Sequence, residues 1–220
     1  MFCTSISFLI LPFLILLPLV GGLILLFIPT KNVLLTKQVS LFFSSLVFFI
    51  SLFLWLFFDK DYARFQFVYE LGWIPSYNLN FSLGIDGISL FFVLLTTLLI
   101  PICLLASWNS VKSFVKEYLI AFLFMETLLV LVFCVKDLLL FYIFFESVLI
   151  PMFVIIGVWG SRERKIRAAY LFFLYTLVGS VLMLLSILYI YFSIGTTDYE
   201  ALLLHEFSLT EQKFLYHLVH

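Results

Sequence analysis

Glu126 and Glu146 are the two residues whose type and position could do chemistry, because each falls inside a long apolar run. They lie ten residues before and ten residues after Lys136, which with Asp137 forms a short polar link between the two runs. A helix rises about 1.5 Å per residue, so each carboxyl group is expected about 15 Å from that link. Both runs are long enough to cross a bilayer. The two groups are therefore expected near mid-membrane, at similar depth, on neighbouring helices that run in opposite directions. An ionisable group there costs about 2.5–3.5 kcal/mol, which makes each a functional candidate. A carboxyl group lowers that cost by keeping its proton or by pairing with a cation. No Lys or Arg within the apolar runs lies at that depth. Glu146 is thus read either as neutral or as half of an ion pair whose cation lies outside these residues.

Pro151 strengthens the reading of Glu146. It has no amide to donate to the carbonyl of Ser147, and a free carbonyl beside Glu146 is polar lining suited to water. Proline kinks also occur in membrane helices for structural reasons alone. We expect Glu146 to handle protons, against the alternative of a structural hydrogen bond. Glu126 has no polar neighbour in sequence, so a structural role is favoured there and a proton role is secondary. Asp137 opens the run that contains Glu146, where a negative side chain suits the helix dipole. It is read equally as a helix cap and as a point where protons enter. Asp86, in LGIDGIS, is read as a cap.

These residues need spans to position them. Hydrophobic residues make up 65% of the 220 positions and charged residues 11%, with a mean hydropathy of +1.23. Soluble domains are roughly 45–50% apolar and about 25% charged, so lipid must be the solvent for most of this surface. A crossing needs about 20 apolar residues. Six stretches supply them, at about 6–28, 39–58, 88–107, 118–135, 138–158 and 168–194. The expected fold is all-α: a polytopic membrane helix bundle of about six transmembrane helices, one domain over 1–220 with a tail at 195–220. Residues 59–87 form the one sizeable loop before the tail, where Trp73 and Tyr77 suit a membrane interface. Thr176 and Ser180 form a small-xxx-small pair that favours close helix contact. Tyr170 and Tyr175 have hydroxyls that can hydrogen-bond across helices, and both are assigned to packing.

Basic residues orient the bundle. Lys31, Lys37, Lys112, Lys116, Arg162, Arg164, Lys165 and Arg167 fall on one side, eight of the twelve; Lys60, Arg64, Lys136 and Lys213 fall on the other. The positive-inside rule puts the eight-charge side in the cytoplasm or in the matrix of a mitochondrion. The opening MFCTSIS has no basic residue, and the apolar stretch after it is too long for a signal peptide.

Several classes of chemistry are excluded. A net charge of −1 gives no sign of nucleic-acid binding. Cys3, Cys103 and Cys134 are far apart, lack metal-ligand spacing, and read as small apolar fillers. His205, His217 and His220 all fall in the last sixteen residues, outside any clear span that could hold a haem. Neither a glycine-rich nucleotide loop nor an iron–sulfur cysteine run is present. Any redox chemistry connected with the chain is therefore expected elsewhere.

Three stretches carry a resemblance: LGIDGISLFFVLLTTLLIPICLL, KDLLLFYIFFESVLIPMFVIIGVWGSRERKIRAAYLFFLYTLVGS and GTTDYEALLLHEFS. They closely resemble the subunit 4 family of NADH–ubiquinone oxidoreductase, antiporter-like membrane subunits of mitochondrial respiratory complex I. The resemblance runs from about Leu17 to Phe214 and is most specific from Asp137 to Ser180. Multisubunit cation/proton antiporters share a looser version of that block. The resemblance implies a proton-translocating membrane-arm subunit of the mitochondrial inner membrane, driven by quinone reduction elsewhere, with its basic loops on the matrix side. NAD, FMN, iron–sulfur clusters and ubiquinone would be bound by other subunits and none by this chain. Glu146, in LLLFYIFFESVLIPMF, corresponds to the acidic member of a Glu–Lys pair. An opposite charge a few ångströms away favours the charged lysine, and losing it releases the proton. Glu126 is not carried over, since related subunits can have an amide there.

The implied architecture is the N-terminal half of an antiporter-like fold. Residues 195–220 would then lead towards a seventh helix that these residues do not contain. The pairing lysine is expected on that helix, within a separate chain carrying the C-terminal half. Other partners implied are the remaining membrane-arm subunits of complex I and the lipid bilayer. Two alternatives stay open: a truncated or non-functional fragment of such a subunit, and a cation/proton antiporter subunit.

Overall fold

A computed structural model describes residues 2–62, 64–74, 79–160, 163–205, 207, 209, 211–213 and 216, without the side chains of 2–9, 73–74 and 79–80. Tyr77, Arg162, His217 and His220, and the side chain of Trp73, thus lie outside the described residues. Among the described residues, six helices are long and apolar enough to cross a membrane. A backbone in lipid must satisfy its polar groups internally, and runs of this hydropathy do so as helix. The fold is an all-α membrane bundle with one short sheet. It divides into two compact units, 1–69 with 83–134, and 70–82 with 135–220.

The first unit holds α1 (Phe2–Phe27), α2 (Val33–Phe57), α3 (Gly87–Ala106) and α4 (Val115–Cys134). Among these, α4 is the innermost, with 67% of its apolar window buried against 28–33% for the others. A face of small residues on α2, including Ser40, Ser44 and Ser51, is fully buried. Small side chains let helix backbones approach closely. Their hydroxyls return to carbonyls of the same helix, so burial leaves none unmet. Ser51 Oγ also lies 2.8 Å from Thr97 Oγ1 of α3. Asp86 starts α3 as a capping box: its carboxylate accepts from the Ser89 amide at 2.6 Å, and its own amide donates to Ser89 Oγ at 2.9 Å. The apolar run of α2 starts near Val39, yet the helix begins at Val33. Lys37 makes this possible, because its ammonium donates to the Trp108 carbonyl and sits 5.5 Å from that ring's centre.

The second unit holds α5 (Leu138–Trp159), α6 (Lys165–Ile194) and the short α7 (Tyr199–Leu203). The Phe153 ring meets those of Tyr170 and Phe173 at 5.3 and 5.6 Å, which joins α5 to α6. Gly195 ends α6 with φ of 85°, a left-handed conformation that glycine adopts without strain. Ser180 is buried, and its hydroxyl bonds back to Leu177.

Two expectations need correction. Residues 59–87 are not simply a loop. They include β1 (Gln66–Ile74) and β2 (Leu79–Ile85), which pair as a two-stranded sheet. Four intervening residues cannot make a parallel crossover, so the pair is an antiparallel hairpin. Its aromatic and branched residues were a strand signal that the stronger apolar runs on either side overshadowed. Cys103 is not a buried filler but is exposed, whereas Cys134 is buried. Tyr170 packs on Phe153, as its assignment to packing anticipates, whereas Tyr175 is 86% exposed.

Candidate functional site

Asp137 sets the start of α5. One carboxylate oxygen accepts from the amides of Leu139 and Leu140, at 2.9 and 3.2 Å, which caps the helix. The other accepts from Thr197 Oγ1 at 2.7 Å. Asp137 is 3% exposed and Thr197 1%, so this bond is shielded from solvent.

Lys136, beside it, is 6% exposed although it is a lysine. Its ammonium pairs with Glu200 at 3.2 Å and lies 3.9 Å from Glu70. Its amide donates to the Ser82 carbonyl, and its carbonyl accepts from the Tyr199 amide. Asp137 and Asp198 form an isolated antiparallel bridge. One short link thus fastens β1, β2, α5 and the segment leading into α7. A buried lysine needs an opposing charge, and here two exposed carboxylates supply it.

Glu146 lies in the middle of α5 and is half-buried. Its Oε2 is closed off from solvent and has no hydrogen-bond partner. Ser147, next to it, donates its hydroxyl to the Ile143 carbonyl at 2.7 Å. Pro151 is buried within the helix and offers no amide to the carbonyl of Ser147. Glu146 therefore has a free oxygen beside an acceptor lacking its usual donor. That arrangement can take up a proton, a water molecule or an incoming cation.

Glu126 belongs to the first unit, on α4, and is 0% exposed. Neither of its carboxyl oxygens has a hydrogen-bond partner. It is the more deeply buried of the two glutamates, although its sequence neighbourhood gave it the weaker case. Neither glutamate makes an ion pair among the described residues.

The second unit brings Asp137 together with Lys136, Thr197, Glu70 and Glu200. Sequence reasoning missed the last four as site-positioning residues. The available signal was the polar string GTTDYE, which interrupts an otherwise apolar region soon after α6. No group of His, Cys, Asp and Glu among the described residues could hold a metal ion.

Two family profiles match the chain. One, described as NADH-ubiquinone oxidoreductase chain 4, amino terminus, covers residues 11–136. The other, described as NADH:quinone oxidoreductase/Mrp antiporter, covers 135–219. Among curated proteins, NADH-ubiquinone oxidoreductase chain 4 of Arabidopsis thaliana is 61% identical over 203 residues, covering 92% of this chain and 41% of its own. The Marchantia polymorpha protein of the same name is 59% identical with the same coverage. Among solved structures, a chain of respiratory complex I from Thermus thermophilus aligns with a TM-score of 0.81 at 28% identity, over 95% of this chain and 43% of that one. A chain of the Mrp complex from Dietzia sp. DQ12-45-1b aligns with a TM-score of 0.77 at 12% identity, over 96% of this chain and 22% of that one, a likeness of fold alone. The chain spans about two-fifths of the length of these curated relatives.

Proposed function

The chain belongs to the NADH-ubiquinone oxidoreductase chain 4 family, and from that premise we propose that it is a proton-translocating membrane-arm subunit of an NADH:ubiquinone oxidoreductase. It carries out no redox step itself. Electron transfer through NAD, FMN, iron–sulfur clusters and ubiquinone takes place on other subunits and drives its proton movement. Its setting is the mitochondrial inner membrane, with the basic connections on the matrix side.

The observation that carries this reading is Glu146. A carboxyl oxygen in mid-helix, closed off from solvent and unpartnered, is unfavourable unless it exchanges a proton or meets a cation. The cation is supplied by residues outside these 220, because no Lys or Arg of the six helices lies near the middle of a span. Near the Glu146 carboxylate a lysine favours its charged state, and when the pair separates the lysine releases its proton. Asp137, at the start of α5, serves in this reading as a point where protons enter. Glu126 is a secondary proton-handling group of the first unit.

Replacing Glu146 with Gln keeps size and hydrogen-bonding capacity and removes titration. The Glu146→Gln complex is expected to assemble and oxidise NADH while its proton-to-electron stoichiometry falls. An unchanged stoichiometry in an assembled complex would overturn the assignment. A second reading, a subunit of a cation/proton antiporter, draws on the antiporter named in the profile matched by residues 135–219. It requires cation-for-proton exchange without NADH oxidation. A mass-spectrometric inventory of the purified assembly, showing which other subunits and which continuation of this fold accompany the chain, separates the two.

A further inference from the structure

The first unit carries a polar pocket of about 350 Å³ where α2 and α4 begin, apart from either glutamate. Lys112, Lys116, Thr30 and Thr36 contribute its polar wall, with Glu117 as the one lining carboxylate. Lys116 is committed: its ammonium donates to the carbonyls of Leu26 and Ile28, each at 2.8 Å, and so holds a positive charge at the wall while closing the end of α1. Lys112 is exposed and makes no hydrogen bond or ion pair among the described residues. Its charge is available to something outside the chain. Glu117 is exposed and offsets one of the two cations, which leaves the lining net positive.

The pocket is not purely polar. Val33 and Phe114 also line it, and they are 40% and 67% exposed. A free phosphate ion would use the lysines and gain nothing from an exposed phenylalanine. A phospholipid uses both, because it carries its phosphate beside its acyl chains. Basic pockets between membrane helices are suited to anionic head groups. We infer that this pocket binds an anionic phospholipid, its phosphate on Lys112 and Lys116 and an acyl chain against Val33 and Phe114.

The test uses the intact assembly containing the chain, stripped of lipid in detergent. It is then loaded with phosphatidylglycerol bearing a photoreactive group near the phosphate. Peptide mapping is expected to find the label on residues 30–36 and 112–117. Lys112→Glu should lower that labelling at least about five-fold, the effect of losing one such cation at a membrane surface, with the added negative charge lowering it further. Lys31→Glu, which changes charge on the same border outside the pocket, should leave it in place. Equal losses in both variants, or no loss in Lys112→Glu, would overturn the inference. So would equal labelling by a phosphatidylcholine probe, or loss of label under excess inorganic phosphate. If Lys112→Glu fails to assemble, the comparison of the two probes on the unmodified assembly decides the matter.

Discussion

Glu126 and Glu146 show how little the type of a residue says about its surroundings. Both are single glutamates in apolar helices. Glu126 is fully buried with neither oxygen partnered, while Glu146 is half-buried with one oxygen unpartnered. A buried polar group without a partner costs about 1–3 kcal/mol. Glu126→Leu is therefore expected to stabilise the first unit by about that amount, since it removes the unmet group and keeps the volume roughly constant. Glu126→Gln keeps unmet polar atoms and should gain little. Unfolding in mixed micelles, followed by loss of helical circular dichroism, measures both. A leucine variant less stable than the parent would mean that Glu126 has a partner outside these residues. That both glutamates fall inside long apolar helices was legible from the sequence. Their burial was not, because it depends on which other helices pack against each face.

At the scale of elements, the start of α5 depends on contacts of very different range. The cap is local: Asp137 meets amides two and three residues on, and a carboxylate before an apolar run announces it. The fastening is long-range. Lys136 finds Glu70 and Glu200 about sixty-five residues away in either direction, a separation that no local pattern encodes. The hairpin that carries Glu70 was missed for a related reason. A pair of strands is defined by its partner, whereas a spanning helix is defined by its own hydropathy. Two substitutions separate the cap from the fastening. Thr197→Val removes only the bond to Asp137, and should expose the segment before α7 to protease while α5 keeps its first turn. Asp137→Ala loses that bond and the cap together, at about 0.5–2 kcal/mol for the cap. It should also speed hydrogen exchange at the Leu139 and Leu140 amides. Equal exchange at those amides in both variants would show that the Thr197 bond, and not the cap, holds the turn.

For the whole molecule, the number of crossings followed from length and hydropathy, but the division into two units did not. In α4, 67% of the apolar window is buried, against 17% in α5 and in α6, although their mean hydropathies of 2.1, 2.4 and 2.4 are close. Hydropathy reports that a helix belongs in a membrane. It does not say whether lipid or another helix covers it. Sidedness lies between these cases, since charge counting gives it a direction and the structure gives the charges anchoring partners. Lys37 is held at the Trp108 carbonyl, and Lys116 at the carbonyls ending α1. Both contacts tie basic residues to the border where α2 and α4 begin. Moving either across the membrane would take a lysine through hydrocarbon and also strip it of these acceptors. A cysteine placed at Lys112 should therefore react with an impermeant maleimide only from the matrix side of inner-membrane vesicles, and one at Lys60 only from the opposite side. Cys3 and Cys103 are first replaced by Ser, and Cys134 is buried, so that the signal reports the introduced thiol. Labelling of position 112 from the outer side, with position 60 protected there, would invert the orientation. The pocket at Lys112 would then draw its lipid from the other leaflet, while the depth of Glu146 would be unchanged.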